Sequence, residues 1–236
     1  MKLSFVLPMY NEASRIERIV NKFLKTMSSQ NLDCELVIVD DGSEDNTYSI
    51  ALKLASNGRI KVVRHTSNSG KGFSILMDSV IQLEILFVSL MAMATYRIDQ
   101  IKDYIHLSKN ADIVIGSKKH PQSHVESSII RKLLGRAFNI LVRIFTGLKV
   151  SDTQSGIKMF RREAIEKIRP KILVKRFAFD VELLVVAVLH GLRIIETPVN
   201  IKMSGLGMAN PRNIFRMLID LLAISYRLHV KKWYQG

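Results

Sequence analysis

Apolar and polar positions alternate along the first half of the chain in the order that builds an α/β sheet. Five short apolar runs predict buried strands, at 2–7, 36–39, 60–64, 84–90 and 112–116. Stretches with apolar residues at helical spacing predict helices between them, at 13–27, 46–56, 72–80 and 98–107. This alternation predicts a doubly wound, mostly parallel central sheet flanked by helices.

The second predicted strand leads directly into Asp40, Asp41, Gly42 and Ser43. Open α/β sheets bind their ligands beyond the carboxyl ends of the strands. Carboxylates at this place can accept hydrogen bonds from ribose hydroxyls or from base N–H groups. The same four residues also suit a tight turn that binds nothing. The residues alone therefore leave a nucleoside site and a plain turn as two interpretations.

A glycine loop at 66–72 precedes the helix predicted to end at Val80. It is not a Walker loop, because His65 stands where the first glycine is required and Gly72 where a hydroxyl is required. The glycine fingerprint of dinucleotide-binding proteins is also absent after the first strand, which argues against a nicotinamide dehydrogenase. Lys71 is either a phosphate contact at a helix N-terminus or a solvated lysine.

Two helices are predicted to be both apolar and basic. In the helix at 128–146, Lys132, Arg136 and Arg143 share one face, and isoleucines and leucines fill the other. Such a helix either covers the core or lies in a membrane interface. The C-terminal helix has the same character, but Asp220 and Arg227 interrupt its apolar run. We expect this helix to lie on a membrane or to pack on the domain. The predicted boundaries are 1–210 for the domain and 211–236 for the C-terminal helix.

The composition indicates an anionic partner. Lysine and arginine number 35 against 21 acidic residues, which gives a formal charge of +14. The candidates are nucleic acid, a phosphorylated small molecule or an acidic membrane surface. Nucleic acid is disfavoured, because the aromatic residues lie mostly on apolar faces rather than among the basic ones. The single cysteine, Cys34, excludes an intrachain disulfide and suits a reducing compartment. No apolar run reaches the roughly 20 residues needed to span a bilayer, so we expect a peripheral protein on the cytoplasmic face of a membrane.

Five segments, in order and at matching spacing, resemble the polyprenyl-phosphate branch of the inverting family 2 glycosyltransferases. That branch contains the dolichyl-phosphate glucosyl- and mannosyltransferases. The segments are Leu7–Glu12, Val39–Ser43, Asn68–Gly72, Asp152–Phe160 and Phe179–Leu183. They cover about residues 1–200, and the last two segments are more similar to the glucosyl-type enzymes.

The resemblance implies a GT-A fold and transfer of a hexose from UDP-glucose or GDP-mannose to a polyprenyl or dolichyl phosphate. By position, the nucleoside would be held by Pro8, Tyr10, Glu12, Asp40 and Asp41. Lys118 would lie near the donor phosphates. Asp152 and Gln154 would lie beside the acceptor pocket, and Arg131 and Arg136 near the acceptor phosphate.

The family's Asp-x-Asp motif, which binds Mg²⁺ or Mn²⁺ with the donor diphosphate, aligns here with Met91 and Met93. Thioethers do not hold these ions, which prefer oxygen ligands, so no metal site is expected. Both methionines should lie at the mouth of the nucleotide pocket. The leaving diphosphate would then be stabilised by Lys71, Lys118 or Lys202. Three interpretations stay open: a metal-independent enzyme, a sequence whose aspartates were replaced, or a homologue that binds nucleotide without transferring sugar.

Overall fold

The computed structural model describes residues 3–66, 85–89, 100–175, 178–202 and 211–235. Within these ranges the strands are β1 (Leu3–Met9), β2 (Cys34–Asp40), β3 (Ile60–Arg64), β4 (Ile85–Ser89), β5 (Ile113–Ser117), β6 (His124–Glu126), β7 (Ile157–Arg161), β8 (Ile194–Pro198) and β9 (Asn200–Lys202). The helices are α1 (Ile16–Ser29), α2 (Thr47–Leu54), α3 (Ile101–Leu107), α4 (Ile129–Thr146), α5 (Arg162–Ile168), α6 (Phe179–Leu189) and α7 (Pro211–His229).

Seven strands form one sheet in the order β3-β2-β1-β4-β7-β5-β8. Every neighbouring pair is parallel except the two pairs that contain β7, which runs against β4 and β5. The predicted mostly parallel α/β sheet is therefore confirmed. The reversed strand was not predicted, because an apolar run carries no information about its direction in the sheet. The small parallel pair of β6 and β9 was also not predicted.

Hydrophobic clusters cover both faces of the sheet, because successive side chains of a strand point to opposite faces. In β1, Phe5 and Leu7 belong to the cluster beneath α1, whereas Val6 belongs to the opposite cluster. The predicted face of α1 is buried in the first cluster. The opposite cluster contains α6, whose residues 179–187 are all buried, together with parts of α4 and α7.

The apolar stripes of α4 and α7 are largely exposed. The two helices contact each other and enter one core cluster, α4 through Phe138 and Val142, and α7 through Leu221, Ile224 and Leu228. The stripes directed away from that core contain Ile129 (76% exposed), Leu133, Ile140 and Ile144 on α4 and Phe215, Ile219, Leu222 and Tyr226 on α7. The apolar stripe recognised in the sequence of α4 is thus not the face that packs on the core. In the described part of the chain, no helix has the length and hydropathy that crossing a bilayer would require.

The C-terminal turn is attached to the core through the buried carboxylate of Glu182 in α6. Its Oε1 accepts hydrogen bonds from the Tyr234 hydroxyl (2.6 Å) and from Arg227 Nη2 (3.0 Å). Its Oε2 accepts from the backbone N–H groups of Leu173 (2.8 Å) and Val174 (2.6 Å). Residues far apart in the sequence are therefore joined at one side chain. The predicted boundary at residue 210, between the domain and the C-terminal helix, remains a prediction.

Candidate functional site

Two loops meet beyond the carboxyl ends of the adjacent parallel strands β1 and β2. The Asn11 N–H donates to Ser43 Oγ (3.0 Å), and Asn11 Oδ1 accepts from the Glu44 N–H (2.9 Å). The Glu12 N–H donates to Thr47 Oγ1 (2.8 Å). These reciprocal hydrogen bonds stabilise Asn11 at a φ of 53°, a backbone conformation that residues other than glycine rarely adopt. The result is a rigid rim around the end of β2.

Asp40, the last residue of β2, is fully buried at this rim. Its Oδ1 accepts a hydrogen bond from the Ser43 N–H (3.3 Å). Its Oδ2 has no hydrogen-bond partner within the described ranges, although Arg64 Nε lies 3.4 Å away as an ion-pair partner. A buried carboxylate oxygen without a hydrogen bond is costly unless a ligand supplies the donor. A nucleoside could supply that donor, and the nucleoside site stays a prediction.

Arg64 is a residue of this site that the sequence interpretation missed. It ends β3, next to Asp40 in the sheet register. Its guanidinium also lies over the ring of Tyr48, 4.4 Å from the centroid, which orients its planar donors. A basic residue at the carboxyl end of a strand beside Asp40 was the signal that could have identified it.

The other predicted nucleoside contacts lie at the same edge of the sheet. Pro8 pairs in register with Val39 near the end of β1, and Tyr10 is exposed in the following loop. The carboxylate of Glu12 accepts from Arg15 Nε (2.6 Å), so it is directed toward that side chain. The buried Asp41 donates its N–H to the Met9 carbonyl (2.9 Å). Lys71, Met91 and Met93 lie outside the described residues.

A second cluster forms around Asp152, in the loop that enters β7. Its Oδ2 accepts from the backbone N–H of Lys118 (2.9 Å) and lies 3.3 Å from Lys118 Nζ. That ammonium also donates to the Gln154 carbonyl (2.9 Å). Lys118 follows the carboxyl end of β5, and β7 runs in the opposite direction, so Asp152 lies at the same sheet edge as Asp40. The structure thus brings together Lys118, Asp152 and Gln154.

Glu196 of β8 positions this loop, and it too was missed. Its Oε1 accepts hydrogen bonds from the backbone N–H groups of Ser151 and Asp152, both at 3.2 Å. From the other side, Asn139 of α4 donates its side-chain N–H to the Ser151 carbonyl (3.1 Å). A single carboxylate among the apolar residues of the segment that forms β8 was the available signal.

The two most discriminating sequence segments are joined by a buried ion pair. Lys158 Nζ lies 2.9 Å from Asp180 Oδ1, and the two side chains are 1% and 3% exposed. The same ammonium donates to the Ser155 carbonyl in the Asp152 loop. Removing one partner of such a pair leaves an uncompensated buried charge, so this pair specifies where α6 and the loop meet.

Positive charge concentrates beside the Asp152 loop. The pKa of Lys119 is lowered, first by partial burial and then by the like charges of Arg143 and Arg136, while Asp152 and Glu196 oppose the shift. Arg131 is half-buried in the first turn of α4, where its N–H donates to the helix-capping Ser128 Oγ (3.4 Å). This edge is therefore suited to an anion.

The described residues provide no ligand set for a divalent cation. No group of three histidine, cysteine, aspartate or glutamate side chains is arranged around a common point in the ranges that the structure describes. Asp152 is engaged by Lys118, and Asp40 by Ser43 and Arg64. Met91 and Met93, which align with the family's metal-binding aspartates, lie outside the described ranges, so the absence of a metal site stays a prediction.

Comparisons with known proteins agree with this geometry. Residues 4–76 match the model of glycosyl transferase family 2. Dolichyl-phosphate beta-glucosyltransferase ALG5C of Trichomonas vaginalis is 31% identical over 245 residues, which cover 98% of this chain and 72% of the relative. The dolichyl-phosphate beta-glucosyltransferase of Saccharomyces cerevisiae is 31% identical over 94% of this chain and 73% of its own. The enzyme of that name from Homo sapiens is 30% identical, and the alignment covers 98% of this chain and 77% of the relative.

Solved structures show the same fold at lower sequence identity. Mannosyl-3-phosphoglycerate synthase from Rubrobacter xylanophilus aligns with a TM-score of 0.73 at 15% identity, over 100% of this chain and 76% of that one. Glucosyl-3-phosphoglycerate synthase from Mycobacterium tuberculosis, in complex with Mn²⁺, UDP and glucosyl-3-phosphoglycerate, aligns with a TM-score of 0.66 at 16% identity. The alignment covers 95% of this chain and 79% of that one.

Proposed function

The chain belongs to glycosyl transferase family 2, among relatives that are dolichyl-phosphate β-glucosyltransferases, and on that premise we propose that it transfers glucose from UDP-glucose to dolichyl phosphate or a similar polyprenyl phosphate. It is a glycosyltransferase with a GT-A fold. The observation that carries the proposal is the placement of two polar centres at one sheet edge. Asp40 offers a nucleoside a buried oxygen that accepts no hydrogen bond within the described residues, and the Asp152 loop lies among cations suited to an acceptor phosphate.

The geometry around Asp40 supports uracil over guanine. Asp40 Oδ2 accepts no hydrogen bond within the described residues, and the Arg64 guanidinium lies beside it as an ion-pair partner. This acceptor–donor pair complements the N3–H of uracil and its adjacent carbonyl. Guanine has an amino donor in addition to N1–H, and Asp40 Oδ1 already accepts one hydrogen bond from the Ser43 N–H (3.3 Å), so uracil requires fewer acceptors from this carboxylate.

The reaction requires little acid–base chemistry from the protein. A lipid monophosphate, with a second pKa of about 6, is mostly dianionic at neutral pH. One of its oxygens forms the bond to the anomeric carbon of glucose, and the bond from that carbon to the diphosphate breaks. UDP leaves with the electron pair. Asp152, held by Lys118 and Glu196, would orient the acceptor, and Lys71 and Lys118 remain the predicted cations for the leaving diphosphate.

A lipid acceptor would require the enzyme to act at a membrane, and α4 and α7 supply a surface that supports this. Each helix has an exposed apolar stripe, and the two helices contact each other. Lys132, Arg212 and Arg216 are exposed on the same two helices. An apolar stripe flanked by basic side chains favours an anionic lipid interface. We therefore place the protein peripherally on the cytoplasmic face of a membrane.

The test is a transfer assay with dolichyl phosphate in detergent micelles, comparing UDP-glucose with GDP-mannose, each with and without Mn²⁺. We expect glucosyl transfer from UDP-glucose only. Asp152→Asn should raise the acceptor KM without changing UDP affinity, which separates a site effect from misfolding. UDP binding without transfer would overturn the proposal and favour the non-catalytic interpretation suggested by Met91 and Met93.

A further inference from the structure

Helix α6 is apolar on all of its sides. Its residues 179–187 are all buried, and all of them except Asp180 and Glu182 are apolar. Hydrophobic contact has no preferred direction, so it stabilises the burial of such a helix without selecting one rotation about the helix axis. Directional contacts are needed to fix that rotation, and a buried charged group that must meet its partner supplies one.

The two buried carboxylates leave α6 on opposite sides, because residues two positions apart in a helix are about 200° apart around its axis. Asp180 meets the sheet, where its Oδ1 lies 2.9 Å from Lys158 Nζ of β7. Glu182 meets the C-terminal segment, where its Oε1 accepts from the Tyr234 hydroxyl (2.6 Å) and from Arg227 Nη2 (3.0 Å). A rotation of α6 would separate both carboxylates from these partners and leave buried charges unpaired, which is costly.

The sheet side of this arrangement leads to the loop that contains Asp152. The ammonium group that pairs with Asp180 also donates to the Ser155 carbonyl. In the same loop, Asp152 Oδ1 accepts from the Gln154 N–H (3.3 Å). A series of hydrogen bonds and ion pairs on the two sides of α6 therefore connects Tyr234, near the C-terminus, with the loop of Asp152.

We propose that α6 transmits the position of the C-terminal turn to the loop of Asp152, with Asp180 and Glu182 as positioning residues. Glu182 fixes the rotation of α6, which directs Asp180 to Lys158, and Lys158 holds the loop. The assignment rests on the proposed function in one respect, that this loop orients the lipid acceptor. Exchanging a whole buried ion pair for apolar residues is often neutral for stability, so what the pair of Asp180 and Lys158 supplies is an accurate position.

The first experiment removes the ion pair without leaving a buried charge behind. Lys158→Met combined with Asp180→Leu makes both partners apolar, so the melting temperature should be unchanged or higher. The Ser155 carbonyl loses its donor, so the acceptor KM should rise about tenfold or more, since displacing an orienting group by about 1 Å can cost about 100-fold. UDP affinity should not change. The matched control, Arg162→Met with Glu166→Leu, removes an exposed ion pair (2.7 Å) from α5 and should leave the acceptor KM as it is. An unchanged acceptor KM in the first variant, or an equal rise in the control, would overturn the proposal.

The second experiment starts from the other end of the series and requires no activity. Tyr234→Phe in the full chain removes one donor to Glu182. Amide hydrogen exchange over residues 151–157 should then become faster relative to the amides of β1, which report global unfolding. Trp233→Phe is the control in the same turn and should leave exchange in this loop unchanged. Faster exchange confined to the C-terminal turn would contradict transmission through α6.

Combining the changes tests whether α6 is the route. Tyr234→Phe added to the Lys158→Met and Asp180→Leu variant should have no further effect on exchange in the Asp152 loop, because the connection is already broken. A further acceleration as large as the one in the wild-type background would show that the C-terminal turn acts on the loop by another route, and would refute the assignment.

These measurements also separate the positioning role from the proposed function. Faster exchange in the Asp152 loop of both variants, in a protein that transfers no glucose, would support positioning by α6 and refute the function. Glucose transfer with an acceptor KM and a loop exchange that neither variant changes would support the function and refute positioning by α6.

Discussion

Removing the Tyr234 hydroxyl should destabilise the whole domain, although Tyr234 is the third residue from the C-terminus. Tyr234 is buried, and its hydroxyl donates to Glu182 Oε1 (2.6 Å) while it accepts from Arg227 Nε (2.8 Å). Tyr234→Phe takes one donor from a fully buried carboxylate and leaves an arginine N–H without its acceptor. A hydrogen bond to a charged group is worth about 1.5–3 kcal/mol, so we expect a loss of that size. Arg227→Met should cost more, about 3–5 kcal/mol, because the carboxylate loses its counter-charge.

The assay is urea unfolding followed by circular dichroism, with hydrogen exchange over residues 221–235 to detect local opening. Trp233→Phe is the control in the same turn, since it removes the exposed bond from Trp233 Nε1 to the Lys171 carbonyl (3.1 Å). That change should cost about 1 kcal/mol or less. If Tyr234→Phe costs no more than Trp233→Phe, the Glu182 network is not what holds the C-terminal segment.

The same network predicts a specific dependence on alkaline pH. Burial, followed by the charge of Glu182, raises the pKa of Tyr234 well above its ordinary value of 10.0. Ionisation is therefore easier in the unfolded chain, so the free energy of unfolding should decrease as the pH rises above about 10. Tyr234→Phe should lack this contribution. A decrease of equal slope in the variant would assign the dependence to other groups.

Three further predictions concern the site and the surface. Asp40→Ala should weaken UDP binding by about 1.5–3 kcal/mol in calorimetry, because its free oxygen accepts from the base; unchanged affinity with an intact fold would refute that contact. Glu196→Gln should raise the acceptor KM more than it lowers kcat, since Glu196 positions Ser151 and Asp152, and an equal effect on UDP affinity would contradict this role. Replacing Ile140 and Leu222 by aspartate should abolish sedimentation with anionic vesicles without lowering the melting temperature, because both side chains are exposed; retained sedimentation would contradict the proposed membrane surface.

Local patterns in the sequence were sufficient for most of the architecture. The apolar run before Asp40 predicted a buried central strand, and the structure places that strand between β1 and β3. The helical spacing of Ile16, Val20 and Phe23 predicted the buried face of α1. These predictions succeed because the period of apolar residues is a property of the element itself, and burial of one face follows from it.

The direction of β7 and the buried side of α4 required the tertiary structure. An apolar strand packs equally well in either direction until its neighbours are known. In α4, the core side is defined by Phe138 and Val142, which are fewer than the isoleucines and leucines of the opposite stripe. When a helix has two apolar sides, its sequence pattern does not indicate which side is buried. In α4, contact with α7 decides which side is buried.

For the site, the sequence by itself determined the residue types with a chemical role, and the tertiary structure decided what each one contacts. Asp40 was identified from its place after a strand, because the ends of strands in such sheets are where ligands bind, and Asp152 was identified only from the family resemblance. Arg64 and Glu196 came only from the fold, since each acts on a residue at least 24 positions away in the chain. Lys118 and Lys119 are adjacent and alike in sequence, yet one is bound to the Asp152 loop and the other is unpaired within the described ranges. The contacts of Lys118 with Asp152 and Gln154, more than 30 positions away in the chain, distinguish the two lysines, because only the tertiary structure brings that loop beside the end of β5.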